Sequence, residues 1–149
     1  MTKDKILAME AGRELDALVA KSLGYQVFER YSNLYVATDE AAFEQGMTHG
    51  LFMENITDRD NIRLCWRLEH YSTRAGSALE EVVEKMTAEG HGYFELRKDF
   101  GGWWNAAFSI VLSNDDERRQ LGYGNWKYES DGNTAPLAIC RAALLVEAE

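Results

Sequence analysis

The sequence predicts a single-domain α+β protein with an antiparallel β-meander and with N-terminal, central and buried C-terminal helices. Two amphipathic helical patterns, one near the N-terminus and one in the middle, supply helices that can cover a sheet. Three stretches in the second half alternate apolar and polar residues, as strands with one buried face do. The last apolar run, residues 137–146, carries a single charge at Arg141 and must therefore be buried nearly all round.

Length, composition and charge limit the class of protein. A chain of 149 residues has the usual size of one domain, and no linker or repeat divides it, so residues 1–149 are predicted to form one unit. A hydrophobic content of 46% indicates a folded core, while a net charge of −9 weighs against direct nucleic-acid binding. No apolar run approaches the ~20 residues that cross a bilayer, and the N-terminus lacks the apolar core of a signal peptide. We therefore predict a cytoplasmic protein that contacts no membrane.

The N-terminal half begins with a helix and continues in β-leaning segments. Apolar residues recur at helical spacing between residues 7 and 22, although Gly12 weakens the pattern and moves the expected start to near Ala11. The pattern then predicts a hairpin of residues 25–31 and 34–38 about Ser32 and Asn33, a short helix at 39–46 and a brief strand at 51–53. Residues 62–70 fit either a strand or a helix capped by Thr57 and Asp58.

The second half alternates between helix and strand signals. Ser72 and Thr73 are expected to cap a central helix over residues 75–86, which Gly90 ends. Strands are predicted at residues 93–97, 103–112 and 124–129, joined as a meander. Alternation places one apolar set on the core side, against the central and last helices: Phe94, Leu96, Trp104, Phe108, Ile110, Leu112, Trp126 and Tyr128. Asp131 and Gly132 predict a turn, after which Thr134 caps the last helix and Pro136 lies in its first turn.

Four pieces of the sequence form a recognisable set: an opening helix at residues 13–20, His70-Tyr71-Ser72-Thr73 leading into residues 80–86, an aromatic strand, and the closing motif Thr134-Ala135-Pro136-Leu137-Ala138-Ile139-Cys140-Arg141-Ala142-Ala143-Leu144. Together they resemble the phage ABA sandwich domain. Residues 25–69 depart from the family pattern and are expected to form a β-rich insertion. The resemblance implies an α/β/α layered fold and a phage origin, hence a bacterial host cell, and it transfers no catalytic residues.

The sequence predicts no enzyme active site, no metal site and no cofactor. His49, His70 and His91 stand far apart, each without a carboxylate or cysteine at ligand spacing. Cys65 and Cys140 form no ligand pair, and Cys140 is expected to be a buried, reduced thiol inside the last helix. A function in binding is therefore favoured over one in catalysis.

The other face of the predicted meander carries the residues that we favour for ligand binding. On strict alternation these side chains point away from the core: Tyr93, Arg97, Trp103, Asn105, Tyr123 and Lys127. Aromatic plates, two cations and an amide can hold a flat or phosphate-bearing ligand by stacking and charge-assisted hydrogen bonds, with Arg97 and Lys127 as the anchors. The alternative is that the first helix covers this face, which would make its aromatic residues a second core.

These features give three functional hypotheses. The first is a phage-encoded, non-enzymatic accessory protein that acts by binding, as a counter-defence factor that sequesters a small nucleotide-like ligand. The second is an acidic protein-interaction module that inhibits a host protein with a basic surface, for which the net charge of −9 is the support. The third, an enzyme, has no motif behind it. A second copy of the chain is a further partner that the sequence allows.

Overall fold

The computed structural model describes residues 1–50, 55–57, 63–88, 93–109 and 128–148 of the chain. It confirms the α+β class, with helices packed on antiparallel sheets. The helices are α1 (Lys3–Ala8), α2 (Arg13–Ser22), α3 (Glu40–Gly50), α4 (Ala75–Ser77, continued by the π-helical Ala78–Val83 and by Glu84–Ala88) and α5 (Ala135–Glu147). The strands are β1 (Gln26–Arg30), β2 (Asn33–Ala37), β3 (Asn55–Thr57), β4 (Arg63–Arg67), β5 (Tyr93–Lys98), β6 (Trp104–Ser109) and β7 (Tyr128–Gly132).

The first sheet contains four strands in the order β1-β2-β4-β3, with antiparallel neighbours. The predicted hairpin is present as β1 and β2, but its turn is Tyr31-Ser32, because Asn33 already pairs with Arg30. Tyr31 and Ser32 have φ values of 51° and 61°, the left-handed values that a two-residue hairpin turn of this kind requires. Residues 63–67 form a strand, which settles the choice between strand and helix for that part of residues 62–70.

Both faces of the first sheet are packed. One face lies on α3 through a small apolar cluster of Phe28, Tyr35, Ala37, Phe43, Met47 and Cys65. The opposite face contributes Val36 and Trp66 to the main core, which also contains residues of α2, α4 and α5. A helix, sheet, helix order is therefore formed around this sheet. Strands β1 to β4 and α3 all lie within residues 25–69, and the assignment of this segment as a β-rich insertion stays a prediction.

The predicted meander is present as the second sheet, with strand order β5-β6-β7. Phe108 pairs with Phe94 on β5 and with Tyr128 on β7, so the three rings share one face. Leu96 and Trp104 lie on the same face, which packs against α5 in the main core as predicted. The other residues expected on this face lie outside the described ranges: Ile110, Leu112 and Trp126.

The last helix is buried as predicted, with Thr134 as its N-cap and Pro136 in its first turn. Asp131 and Gly132, however, end β7 and do not form the expected turn. A Cβ at Gly132 would lie 2.9 Å from the Ala138 amide nitrogen, so the glycine permits a close approach of β7 to α5. The turn into the helix is made by residues 133–134 instead.

Two other predictions about helices are corrected. The first helical pattern forms two helices, α1 and α2, with Gly12 at the N-cap of α2 and not inside a helix. Ser72 and Thr73 do not cap the central helix, because its N-cap is Arg74. Ser72 is used elsewhere, since its Oγ donates a hydrogen bond to Oδ1 of the buried Asp16 at 2.7 Å. The short helix predicted at residues 39–46 is confirmed as α3 and is longer than expected.

Some sequence predictions fall on residues that the structure does not describe. They are the strand at residues 51–53, the helix stop at Gly90, and the parts of the meander strands at 110–112 and 124–127.

Candidate binding surface

The face of the second sheet that points away from the main core carries charged and polar side chains. We call it the outer face and define it by Glu95, Arg97, Asn105, Glu129 and Asp131. The strand register brings these residues together, since Arg97 pairs with Asn105 and Asn105 pairs with Asp131. Burial alternates along β7, whose exposed residues include Glu129 and Asp131. A sheet that is packed on one face produces this alternation.

Arg97 is the centre of a hydrogen-bonded network on the outer face. Its Nε lies 3.1 Å from Glu95 Oε1, and its Nη2 lies 3.3 Å from Glu129 Oε1. Nη2 also donates to Asn105 Oδ1 at 3.1 Å, and Asn105 Nδ2 donates to Asp131 Oδ1 at 2.8 Å. The Arg97 side chain is 50% exposed, and ion pairs in such a position add roughly 0–1 kcal/mol each to stability. The network therefore orients these side chains more than it holds the fold together.

The network also determines the sign of the net charge on the outer face. The carboxylates of Glu95, Glu129 and Asp131 accompany the single guanidinium of Arg97, so this set carries two net negative charges. A phosphate group at Arg97 would have to displace a carboxylate and would meet a negative potential. A cationic group would instead meet carboxylate oxygens that are already oriented at the surface. The outer face is therefore better suited to basic groups than to anions.

The residues predicted for ligand binding occupy different places in the fold. Arg97 and Asn105 are hydrogen-bonded neighbours on the outer face. Trp103 lies in the β5–β6 turn and is 53% exposed, and Tyr93 is the first residue of β5. Two members of the set lie outside the described residues, Tyr123 and Lys127. The assignment of the whole set to a ligand stays a prediction.

The predicted ligand-binding set lacks the three carboxylates of the outer face, Glu95, Glu129 and Asp131, and the exposed Phe100 of the adjoining β5–β6 turn. The signal for Glu129 is its spacing of two residues from Lys127, and the same alternation reaches Asp131 once β7 is extended to Gly132. Phe100 is fully exposed in the β5–β6 turn. It has no periodic signal, because the alternation of a strand does not continue into a turn.

The first helical segment does not cover the outer face in the described part of the chain. α2 packs against α5 and β1, and its Leu15 and Val19 belong to the main core. The side chains of Glu95 and Glu129 are 36% and 41% exposed, which is compatible with contact to a partner. The five residues that define the outer face are therefore not a second core, whereas the small Ala107, which lies between Glu95 and Glu129 on the same face, is buried.

A second polar cluster joins α2 to the segment that precedes α4. Oδ1 of Asp16 accepts hydrogen bonds from the Ser72 amide at 2.8 Å and from Ser72 Oγ at 2.7 Å. Arg13 extends the cluster, because its Nη2 donates to the Leu68 carbonyl at 2.9 Å and its Nη1 lies 3.3 Å from His70 Nδ1. Asp16 and Ser72 are both fully buried, so a substrate has no access to the Ser72 hydroxyl. The cluster is a structural tether and not a nucleophilic site.

Other titratable groups also serve the fold. Tyr71 is fully buried and its hydroxyl donates to Glu81 Oε2 at 3.0 Å. Burial, reinforced by the Glu81 carboxylate, raises the pKa of Tyr71, so the hydroxyl stays a neutral donor. Among the residues that the structure describes, no three His, Cys, Asp or Glu side chains are grouped so that they could hold a metal ion. Within the same ranges, no helix has the length and apolar character needed to span a membrane.

No protein-family model matches the sequence, and neither does any curated protein or solved structure. The resemblance to the phage ABA sandwich domain therefore stays a prediction from the sequence. The chemistry of the outer face and of the adjoining β5–β6 turn is the basis on which a function can be assigned.

Proposed function

We propose that this protein acts by binding a second protein that has a basic surface, and that the outer face is the surface it uses. The pairing of Arg97 with Glu95 and Glu129, at 3.1 and 3.3 Å, is the observation that carries the proposal. This pairing engages the guanidinium that an anionic ligand would need, and it leaves carboxylate oxygens as the groups that a partner can contact. The net charge of −9 has the same sign and would attract a basic partner from a distance.

A basic partner surface indicates a class of target. Proteins that bind nucleic acid carry clustered Lys and Arg side chains that neutralise phosphates. An acidic face that engages such a cluster would compete with the nucleic acid and act as an inhibitor without any catalytic step. Under the resemblance to the phage ABA sandwich domain, the chain is a phage-encoded accessory protein and the target is a host protein in the bacterial cytoplasm.

A small nucleotide-like ligand is the second candidate, and the exposed Trp103 favours it. An indole ring that is 53% exposed offers a surface on which a base can stack. The phosphate would then need a cation other than Arg97, and Lys127 is the residue that the sequence suggests. In that case the protein would sequester the ligand, as a counter-defence factor does.

The test of the first candidate compares three forms of the full chain, each immobilised and exposed to a bacterial lysate. One is the wild type. One neutralises the outer face with isosteric changes that keep acceptor oxygens for Arg97 and Asn105: Glu95→Gln, Glu129→Gln and Asp131→Asn. The control removes the same number of charges at exposed positions on three helices: Glu40→Gln, Glu84→Gln and Glu147→Gln.

We expect the wild type and the control to retain the same basic proteins and the outer-face variant to lose them. Retention should also be lost as salt is raised to about 1 M, where the screening length falls to about 3 Å. If the control and the outer-face variant lost the retained proteins equally, only the overall charge would matter, which contradicts the proposal.

A thermal-shift screen of nucleotides and cyclic nucleotides separates the two candidates. A ligand at ~100 times its Kd adds about 2.7 kcal/mol to the native state and so raises Tm. A rise in Tm that is absent in Trp103→Ala would favour the small ligand. No rise across the panel, together with selective capture of basic proteins, would favour the protein partner.

A further inference from the structure

The β5–β6 turn presents two aromatic side chains to solvent. Phe100 is fully exposed and Trp103 is 53% exposed, and we call these two residues the aromatic tip. Aromatic side chains of this size bury about 150–250 Å² each when they enter an interface, and Trp is enriched among the residues that dominate binding energy. In the isolated chain, most of this apolar area stays in water.

The turn that carries the aromatic tip is closed by hydrogen bonds. The Asp99 amide donates to the Trp103 carbonyl at 2.9 Å, and the Trp103 amide donates to Asp99 Oδ1 at 2.9 Å. The Gly102 amide donates to the Asp99 carbonyl at 3.2 Å, and Gly102 has a φ of 85°, which glycine adopts without strain. The tip is therefore preorganised, and little conformational entropy is lost when it docks.

Negative charge borders the aromatic tip, while the nearest lysine in the sequence is directed elsewhere. Asp99 lies in the turn itself, and Asp131 lies opposite Asn105, two residues after Trp103, on the outer face. Arg97 lies on the same face and is paired with Glu95 and Glu129. Lys98 has its Nζ 5.3 Å from the centre of the Trp104 ring, on the core side of the sheet. An apolar anchor with an acidic border is complementary to an apolar pocket with a basic border.

We propose that the aromatic tip is the anchor with which this protein docks into an apolar pocket of its partner, while Lys or Arg side chains at the rim of that pocket meet the outer face. The positive charge at the rim of the pocket rests on the proposed function, whereas the apolar pocket itself is an inference beyond that function. Anionic lipid headgroups would be repelled by the same carboxylates, and two copies of this chain would bring like charges together. The occupant is therefore a basic protein with an apolar pocket.

The β1–β2 turn supplies a matched control within the same chain. Tyr31 is 74% exposed at that turn, so it is also an aromatic side chain presented by a tight hairpin. The neighbouring Arg30 is paired with Glu44 at 2.8 Å, which gives this turn no excess of carboxylates like that of the outer face. A change that acts only by reducing exposed aromatic area would act equally at Tyr31 and at Phe100.

The experiment uses the full chain with the photo-crosslinking residue p-benzoylphenylalanine at position 100 or, as a control, at position 31. After irradiation in a bacterial lysate, we expect a protein crosslinked from position 100 that is absent from position 31. That protein is then purified and its Kd is measured by calorimetry. Phe100→Ser and Trp103→Ser should each raise Kd at least about tenfold, and Tyr31→Ser should change it less than about twofold.

Several outcomes would overturn the anchor. They are equal effects of Phe100→Ser and Tyr31→Ser, the absence of any protein crosslinked from position 100, and crosslinking to a second copy of the chain. Co-sedimentation with phosphatidylglycerol vesicles that Phe100→Ser abolishes would also overturn it, because the tip would then serve a membrane surface.

The outer-face variant separates failure of the anchor from failure of the proposed function. It carries Glu95→Gln, Glu129→Gln and Asp131→Asn, and its Kd is measured against the same purified partner. If it binds weakly while Phe100→Ser binds normally, the proposed function stands and the anchor is wrong. If Phe100→Ser binds weakly while the outer-face variant binds normally, the anchor stands and the basic character of the partner is wrong.

Discussion

The two sheets of this protein differ in the number of faces that they bury. The first sheet packs α3 on one face and the main core on the other, and Val36, Ala37 and Cys65 are all inaccessible to solvent. The second sheet buries Phe108 on its inner face, while Arg97 on the outer face has a half-exposed side chain. A face inside a close-packed core is constrained by its neighbours, whereas an exposed face is free to carry groups for recognition. The first sheet therefore serves stability, and the exposed outer face of the second is the surface that we propose for binding.

Single strands show the same difference. The edge strand β7 alternates strictly between buried and exposed residues, whereas the last three residues of β2 are buried without a break. The central strand β6 also has three consecutive buried residues, because the small Ala107 is buried although it lies on the outer face. A strand covered on both faces has no exposed positions for polar side chains, so its sequence becomes continuously apolar. Leu34 to Ala37 is such a run, and Tyr128 to Gly132 is not.

The largest predicted effect tests whether α3 is a structural layer of the same importance as the main core. Phe43 of α3 is buried and stacks on Phe28 with ring centroids 4.3 Å apart, and Phe108 is buried in the main core. Phe43→Ala and Phe108→Ala should each lower the free energy of unfolding by about 3–5 kcal/mol, because each removes a large ring from a close-packed site. Urea unfolding followed by circular dichroism measures both.

The comparison between the sheets fails if these two values differ widely. A loss below about 1 kcal/mol for Phe43→Ala, beside a full loss for Phe108→Ala, would mean that α3 covers the first sheet only loosely. Tyr31→Asn is the control at an exposed turn. It should change the free energy of unfolding by no more than about 0.5 kcal/mol, since Asn adopts a positive φ readily.

Local sequence patterns predict the parts of this fold that depend on neighbouring residues. The face shared by Phe94, Phe108 and Tyr128 follows from alternation, and the buried α5 follows from a long apolar run. Contacts between distant residues explain what the patterns miss. Ser72 does not cap the central helix, because the buried Asp16, 56 positions away in the sequence, accepts its hydroxyl hydrogen bond.

The candidate binding surface shows the same limit of local patterns. Alternation correctly assigns Arg97 and Asn105 to the exposed side of the meander. The carboxylate of Glu129 reaches Arg97 across 32 positions of sequence, through the register of β6 with β7. Periodicity along one strand does not contain that register, so the neutralisation of Arg97 was not predictable. This is why the sequence favours an anionic ligand and the geometry favours a basic partner.

A smaller predicted effect compares the two regions by their local stability. Cys65 lies in the α3 cluster and Cys140 lies in the main core, and both are buried. Burial raises the pKa of both thiols, and the Asp16 carboxylate adds to the effect at Cys140. Only the thiolate reacts, so both should be labelled slowly in the native protein. We expect a maleimide to modify Cys140 at least about tenfold more slowly than Cys65, because a small cluster under one helix opens more readily than the main core.

Mass spectrometry of the labelled peptides follows the two thiols separately, and urea-unfolded protein is the control in which both should react quickly. If Cys140 were labelled faster than Cys65 in the native protein, the main core would be locally less stable than the α3 cluster, contrary to the prediction. Rapid labelling of both would place neither thiol in a closed core.

The smallest predicted effect concerns two adjacent tryptophans at the start of β6. Trp103 is 53% exposed in the β5–β6 turn, whereas Trp104 packs against the main core. Trp103→Ala should change the free energy of unfolding by no more than about 0.5 kcal/mol, which is the range of ordinary surface changes. Trp104→Ala should lower it by more than about 1 kcal/mol, because the ring leaves a gap against buried neighbours. Urea unfolding of the two variants under one buffer gives the difference.

Because the two tryptophans are consecutive, the variants match in composition, charge and position, and they differ in the environment of the deleted ring. A cost of about 3–5 kcal/mol for Trp103→Ala, the value of a buried ring, would mean that the β5–β6 turn is covered and that the aromatic tip is not available to a partner. Near-native stability combined with weakened partner binding would give the opposite result at the same residue. Trp103 would then contribute to recognition without contributing to folding, which is the distinction that separates the exposed side of the second sheet and its β5–β6 turn from both faces of the first sheet.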